Sequence, residues 1–238
     1  MKNLFELIIN GLLYAWRKQM SIPLSKKLYQ ASLERGDWGC AGFPLLGWLS
    51  GLAIVFAGVV TEWIFNVYAG ALVFSVLAWL LFLFRDSGRS DNVLAALIIG
   101  KLPKDNIQLH TAVPIILLLG RMALLVLLYV NGQAWHLPLV IGGVFTLEAL
   151  LTVDGDFIPP LLDDTPEAKR NMGAVAVILT FISFALLPLA TALSVAAFMV
   201  IWNLAQRSSR RYGTDLLQIT MAGGVAGWVL LLAGVFAI

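Results

Sequence analysis

The sequence has few of the residues that build disulfides and metal clusters. It contains 1 Cys and 2 His in 238 residues, which excludes an intrachain disulfide and any cysteine-based metal cluster. Neither His110 nor His136 has a second ligand residue at a useful spacing, and we expect both to be ordinary histidines at the ends of membrane spans. Cys40 is expected to be a small buried residue. Carboxylates and arginines are therefore the side chains left to carry chemistry.

Charged residues are also scarce. They make up 13% of the chain against 60% hydrophobic residues, and the mean hydropathy is +0.87. This composition is typical of a protein that crosses a lipid bilayer several times. The formal net charge of +2 reflects basic loops beside anionic lipid, and we expect no nucleic-acid partner.

Seven apolar runs alternate with basic segments. The runs cover residues 42–60, 67–84, 112–130, 137–153, 172–187, 189–205 and 216–238. Each approaches the ~20 residues that a helix needs to cross the hydrocarbon core. All Lys and Arg residues except Arg121 lie in the segments 1–41, 85–111, 154–171 and 206–215. The other connectors lack Lys and Arg, so the positive-inside rule predicts seven transmembrane helices and a cytoplasmic N-terminus in the cytoplasmic (inner) membrane.

The first residues have the pattern of an amphipathic helix. Asn10 and Arg17 fall on one helical face, and Phe5 and Ile9 fall on the other. Such a helix lies in the membrane interface. A second short apolar stretch, 93–102, is expected to lie flat or to re-enter the bilayer. The predicted fold is thus a single all-α polytopic domain over 1–238, with a cytoplasmic amphipathic segment at 1–41 and a helical bundle at 42–238.

Arg121 and Glu148 lie inside apolar runs. An ionised side chain near the middle of a bilayer is costly and indicates a functional site. Counted from the outer ends of their helical hairpin, these residues lie about 14 and 16 Å deep at the rise of ~1.5 Å per residue. We therefore predict an Arg121–Glu148 ion pair, which either holds two spans together or faces a polar substrate cavity.

Two of the basic segments contain further candidate site residues. After the second span, Asp86 and Asp91 could hold Mg²⁺ together with water and a pyrophosphate, or they could pair with the arginines interleaved between them in a solvated turn. Near the start of the last span, Arg210 and Arg211 could receive phosphates as bidentate donors. Positive-inside anchoring would explain the same two arginines without a ligand.

Several motifs occur in an order that resembles a known family. The motifs are Gly42-Phe43-Pro44-Leu45-Leu46-Gly47, the acidic turn with Asp86 and Asp91, Lys104-Asp105-Asn106-Ile107-Gln108-Leu109-His110, Arg121, and Arg210-Arg211-Tyr212-Gly213-Thr214-Asp215. In this order they resemble the cobalamin synthases, the membrane enzymes called adenosylcobinamide-GDP ribazoletransferases. The first is similar to the family's Phe-Pro-Leu-x-Gly entry into its first span. The acidic turn takes the place of the family's His-x-Asp-Gly-x-x-Asp-x-x-Asp-Gly motif.

The resemblance implies a phosphoryl transfer. In it, α-ribazole or its 5′-phosphate attacks GDP-activated cobinamide, and GMP leaves. The roles that it implies are metal binding for Asp86 and Asp91, phosphate binding for Arg210 and Arg211, and catalysis for Asp105 and Asp215, with Mg²⁺ as cofactor.

Departures from the family pattern fall on the residues expected to carry the chemistry. Phe84 and Arg85 replace the region of the motif histidine, and Ile107 stands in place of an arginine. The alternative interpretation is therefore a catalytically inactive homologue. It would serve as a structural or assembly subunit of a membrane complex, with protein partners in addition to the lipid bilayer.

Overall fold

The computed structural model describes residues 4–33, 39–86, 89–100, 107–153, 166–212 and 216–237. These residues form ten α-helices, one short 3₁₀ helix (Ala134–His136) and no β-strand. The helices are α1 (Leu4–Gln19), α2 (Lys26–Leu33), α3 (Gly42–Ile64), α4 (Val67–Asp86), α5 (Arg89–Ile99), α6 (Ile107–Val130), α7 (Leu137–Val153), α8 (Pro166–Leu186), α9 (Pro188–Tyr212) and α10 (Leu216–Val235).

Five segments are long and apolar enough to cross a membrane: Gly42–Ile64, Val67–Arg85, Thr111–Val130, Ala134–Leu151 and Pro188–Arg207. Two further apolar segments in the described part of the chain, Arg170–Leu186 and Met221–Val235, are shorter. Each of the seven predicted apolar runs corresponds to one helix, and the expected break at Pro188 is confirmed, because α8 ends at Leu186 and α9 begins at Pro188. Proline is well suited to the first position of a helix, where its missing N–H costs nothing.

The centre of the bundle is the contact between α3 and α7. A Cβ atom added to Gly47 would lie 2.8 Å from Gly142 Cα, and one added to Gly51 would lie 2.5 Å from Pro138 Cα. Only glycine therefore fits at these two positions of α3. The two helices run antiparallel. α7 also contacts α8, α9 and α10, so it is the most deeply buried of the five candidate spans.

Contacts between helix ends fall into two groups. At one end, Ser21 N donates a hydrogen bond to Phe84 O at 2.8 Å, and Gly11 contacts Gly42. At the other end, Tyr129 Oη donates to Glu62 Oε2 at 2.7 Å. The first group joins segments next to the basic stretches of the sequence. The second group joins the connectors that lack Lys and Arg.

The amphipathic N-terminal segment and the described part of the short apolar stretch, 93–99, are helical. α1 packs against α3 and α2, and α5 packs against α10 and α6. The prediction of a helix at the N-terminus is confirmed, but its polar face is not wholly turned to solvent. Asn10 is buried, whereas Phe5 on the apolar face is 70% exposed. α1 thus turns Asn10 to the bundle and leaves apolar side chains such as Phe5 for lipid.

A buried charge cluster as the candidate functional site

The predicted site residues differ in how much the structure describes. Asp105 and Asp215 lie outside the described residues. Arg210 and Arg211 lie near the end of α9, and Asp86 is the last residue of α4, but their side chains also lie outside the described part. The geometry of the site is therefore given by the remaining predicted residues, Asp91, Arg121 and Glu148, together with Arg85.

Arg121 pairs with Asp91. The side chain of Arg121, in the middle of α6, is only 3% exposed, and its Nη1 donates to Asp91 Oδ2 at 2.7 Å. Asp91 lies in the first turn of α5, where the helix dipole favours a carboxylate. Phe82 and Trp228 cover the guanidinium, with its Cζ 5.0 and 5.4 Å from their ring centroids. Among the described side chains, Asp91 and two aromatic rings thus hold Arg121.

Arg85 pairs with Glu148. Arg85 Nη2 lies 3.5 Å from Glu148 Oε1, and both side chains are buried. Arg85 lies in the last turn of α4, where the helix dipole favours a cation. Glu148, on α7, lies against Gly223 of α10, and a side chain at position 223 would collide with the carboxylate. A glycine at this position of α10 is therefore what leaves room for Glu148.

The two ion pairs form one cluster. Phe82 lies between them, because the Cζ of Arg85 is 5.8 Å from the same ring that covers Arg121. We call Arg85, Asp91, Arg121 and Glu148 the charge cluster; its formal charge is zero. Ion pairs removed from water repay their desolvation only when opposite charges lie close together. The cluster therefore joins α4, α5, α6 and α7 through mutual neutralisation.

The predicted Arg121–Glu148 pair is corrected by this arrangement. Both residues are buried as expected, but among the described side chains each binds a different partner. The prediction assumed that the two lie at one depth. Along α10, however, Glu148 lies at Gly223 and Arg121 at Trp228, a separation of about 7.5 Å at the helical rise. The depth was misjudged because the segment after α6 folds back into the bundle before α7 begins.

His136 shows this fold-back most clearly. We expected an ordinary histidine at a span end, but the side chain is 1% exposed. Its Nε2 lies 3.1 Å from both Leu230 O and Ser194 Oγ. The turn that allows this contains Gly132, whose φ of 73° suits glycine. Gly234 on α10, where a side chain would collide with the imidazole ring, is the sequence signal that could have pointed to a buried neighbour.

The described residues alone do not fit a divalent cation. They contain no group of three or more His, Cys, Asp or Glu side chains that could hold a metal. Asp91, one of the two predicted Mg²⁺ ligands, is already bound by a guanidinium at 2.7 Å, and a neighbouring positive charge opposes metal binding. The other predicted ligand, Asp86, has no described side chain, so Mg²⁺ stays a prediction from the sequence.

The fold and the buried ion pairs define the class: an all-helical membrane protein with several helices able to span the bilayer. No family model matches the chain, and searches of curated proteins and of solved structures find no match either. The resemblance to the cobalamin synthases therefore rests on the quoted motifs.

Proposed function

We propose that the chain crosses the cytoplasmic membrane seven times, with its N-terminus and all four basic segments in the cytoplasm. The positive-inside rule supports this orientation. The test is thiol labelling of intact cells in a Cys40→Ser background. Asn131→Cys should react with a membrane-impermeant maleimide, and Glu167→Cys should react only after lysis. Labelling of Glu167→Cys in intact cells would refute the orientation.

We further propose that the protein is a cobalamin-synthase-like transferase with its site at the cytoplasmic end of the bundle. One observation carries this proposal. Asp91 and Arg121 both correspond to site positions in the resemblance, and although they lie 30 residues apart in sequence they meet at 2.7 Å. A shared site explains why two residues chosen from separate motifs come together.

The site residues that the resemblance implies suit a reaction of phosphate esters. Phosphoryl transfer requires positioning and neutralisation of charge more than covalent catalysis. In this proposal Arg210 and Arg211 bind the phosphate of the leaving GMP, and Asp215 orients the attacking ribazole nucleotide. Arg121 holds Asp91 in place from within the membrane. Asp105 completes the catalytic residues, as the resemblance implies.

The test is calorimetric binding of a GDP-cobinamide analogue to the purified protein, with and without Mg²⁺. We expect Asp91→Asn to weaken binding at least tenfold. A matched control is Glu62→Gln, because Glu62 is a carboxylate at the opposite end of the bundle. Equal binding by the wild type and Asp91→Asn would refute a role for the cluster. Binding that does not depend on Mg²⁺ would remove the metal from the proposal.

A second candidate function is a non-catalytic subunit of a membrane complex. The observation that favours it is the neutralisation of Asp91 and Glu148 by arginines of the same chain, which leaves these two carboxylates for structural use. Purification in a mild detergent distinguishes the two functions. A subunit should be recovered with a partner in constant ratio, and loss of that partner should lower its stability. A transferase should bind its nucleotide substrate alone.

A further inference from the structure

The two helices nearest the N-terminus lie at the ends of membrane spans. Gly11, in the middle of α1, contacts Gly42, the first residue of the candidate span in α3. Ser21, two residues after α1, donates its backbone N–H to Phe84 O at 2.8 Å, one residue before the candidate span in α4 ends. α2 packs against α1. The α1–α2 pair is therefore placed at the level where the span of α3 begins and the span of α4 ends.

Side-chain contacts fix α2 against α1. The guanidinium Cζ of Arg17 lies 5.3 Å from the ring centroid of Tyr14 in α1 and 5.0 Å from that of Tyr29 in α2. Both distances suit a cation–π contact. Trp16 fixes the turn between the two helices, because its Nε1 donates a hydrogen bond to Ile22 O at 3.2 Å. These contacts hold α2 beside α1 at the ends of the spans.

The α1–α2 pair carries positive charge with little negative charge to match it. Residues 4–33 contain four basic residues and one acidic residue, Glu6. Lys26 and Lys27 are exposed, and among the described residues no carboxylate forms an ion pair with either. Both lysines lie in the first turn of α2, where the helix dipole disfavours a cation. An anionic partner would offset this cost.

Exposed apolar side chains accompany the two lysines. Leu28, Tyr29 and Leu33 of α2 are all exposed. Leu33 follows Lys26 by seven residues, close to two helical turns, so the two lie on one face of α2. A helix that combines leucines with lysines binds a bilayer interface through its apolar area and through attraction to anionic lipid. The apolar residues and the position at the span ends therefore favour lipid over an acidic protein surface.

We propose that α2 lies in the interface of the cytoplasmic leaflet and binds anionic phospholipids there. Lys26 and Lys27 bind the phosphates of neighbouring headgroups, and their alkyl stems lie along the apolar surface. Leu28 and Leu33 enter the region of the acyl chains. The choice of leaflet rests on the orientation proposed above, whereas the preference for anionic lipid does not. Each lysine at such a surface strengthens the binding about fivefold.

The test measures which lipid gathers at α2 of the full chain. Gln30→Cys, in a Cys40→Ser background, carries a bimane fluorophore, and the protein is placed in phosphatidylcholine nanodiscs. A small fraction of the lipid is either phosphatidylglycerol or phosphatidylcholine with a nitroxide, a short-range quencher, on its acyl chain. We expect the quenching to show at least tenfold enrichment of phosphatidylglycerol. Lys26→Gln with Lys27→Gln should lower this enrichment at least fivefold.

Three controls separate the lysines from other sources of charge. Lys26→Arg with Lys27→Arg keeps both charges and should keep the enrichment. Arg170→Gln with Arg207→Gln removes two exposed cations of α8 and α9 and should leave the enrichment at α2 unchanged. A salt concentration of about 1 M, where the Debye length is ~3 Å, should lower it as the loss of both lysines does.

Three outcomes would overturn the proposal: equal quenching by the two lipids, no quenching by either lipid, or an enrichment that survives the loss of both lysines. Both leaflets of a nanodisc have one composition, so the result does not depend on the orientation of the chain in cells. The maleimide labelling described above tests that orientation separately.

Discussion

Replacing Glu148 with Gln should destabilise the bundle strongly, because it removes the carboxylate that pairs with the buried Arg85. The Arg85 and Glu148 side chains are 2% and 10% exposed, and removing one partner of a buried ion pair costs about 3–5 kcal/mol. Their separation of 3.5 Å is longer than an ideal charged hydrogen bond. We therefore expect the low end of this range, about 3 kcal/mol, which is a change of about a hundredfold in the unfolding equilibrium.

The assay is reversible unfolding in mixed micelles with increasing dodecyl sulfate, followed by circular dichroism. The double variant Arg85→Met with Glu148→Met removes both charges and should lie within about 1 kcal/mol of the wild type. Glu167→Gln is the exposed control, because its 3.9 Å pair with Arg170 is largely in solvent and should contribute less than about 0.5 kcal/mol. The reasoning fails if Glu148→Gln costs no more than this control, or if the two Met substitutions destabilise additively.

The same unfolding assay tests three further expectations. Gly47→Ala should destabilise by about 1–3 kcal/mol, because its Cβ would lie 2.8 Å from the backbone of α7. Gly173→Ala, which meets open space, should gain up to about 1 kcal/mol of helix propensity; equal effects at both positions would contradict the close contact. Tyr129→Phe removes the hydrogen bond to Glu62 and should cost about 0.6 kcal/mol, with no loss from Tyr129→Phe in a Glu62→Ala background, which lacks the acceptor. His136→Leu removes the hydrogen bond between the buried imidazole and Leu230 O, a carbonyl that also accepts within the α10 helix, and should cost about 0.5–1.5 kcal/mol; an unchanged midpoint would show that this hydrogen bond contributes nothing.

The helices could be predicted from the sequence because the membrane imposes a local rule. Every backbone polar group in the hydrocarbon core must be satisfied within its own helix, so each apolar run is helical whatever it packs against. The residues at which the helices end were less predictable. The run predicted at 42–60 extends to Ile64 in α3, and the run at 189–205 extends to Tyr212 in α9. Helix propensity continues past the apolar residues, and hydropathy does not report it.

The partners in the site could not be predicted because they depend on contacts between distant segments. Arg121 and Glu148 were correctly singled out as buried charges, since the cost of burying them is a property of each residue. Their partners depend on the depth of α7 in the bundle relative to α6 and on the placement of α5. The depth of α7 is set by the fold-back around Gly132 and His136, and α5 is placed by its packing against α6 and α10; neither has a periodic signal in the sequence.

The attachment of α1 has a consequence for how the protein enters the membrane. Gly11 contacts the first residue of α3, and the chain just after α1 is tied to the end of α4 by the hydrogen bond from Ser21 to Phe84. The ribosome makes α1 before α3 and α4, so the surface that binds α1 is complete only after residue 84 has been synthesised and the α3–α4 hairpin has been inserted. During that interval α1 has no docking surface, so a chain released before α4 would leave α1 undocked and open to proteases.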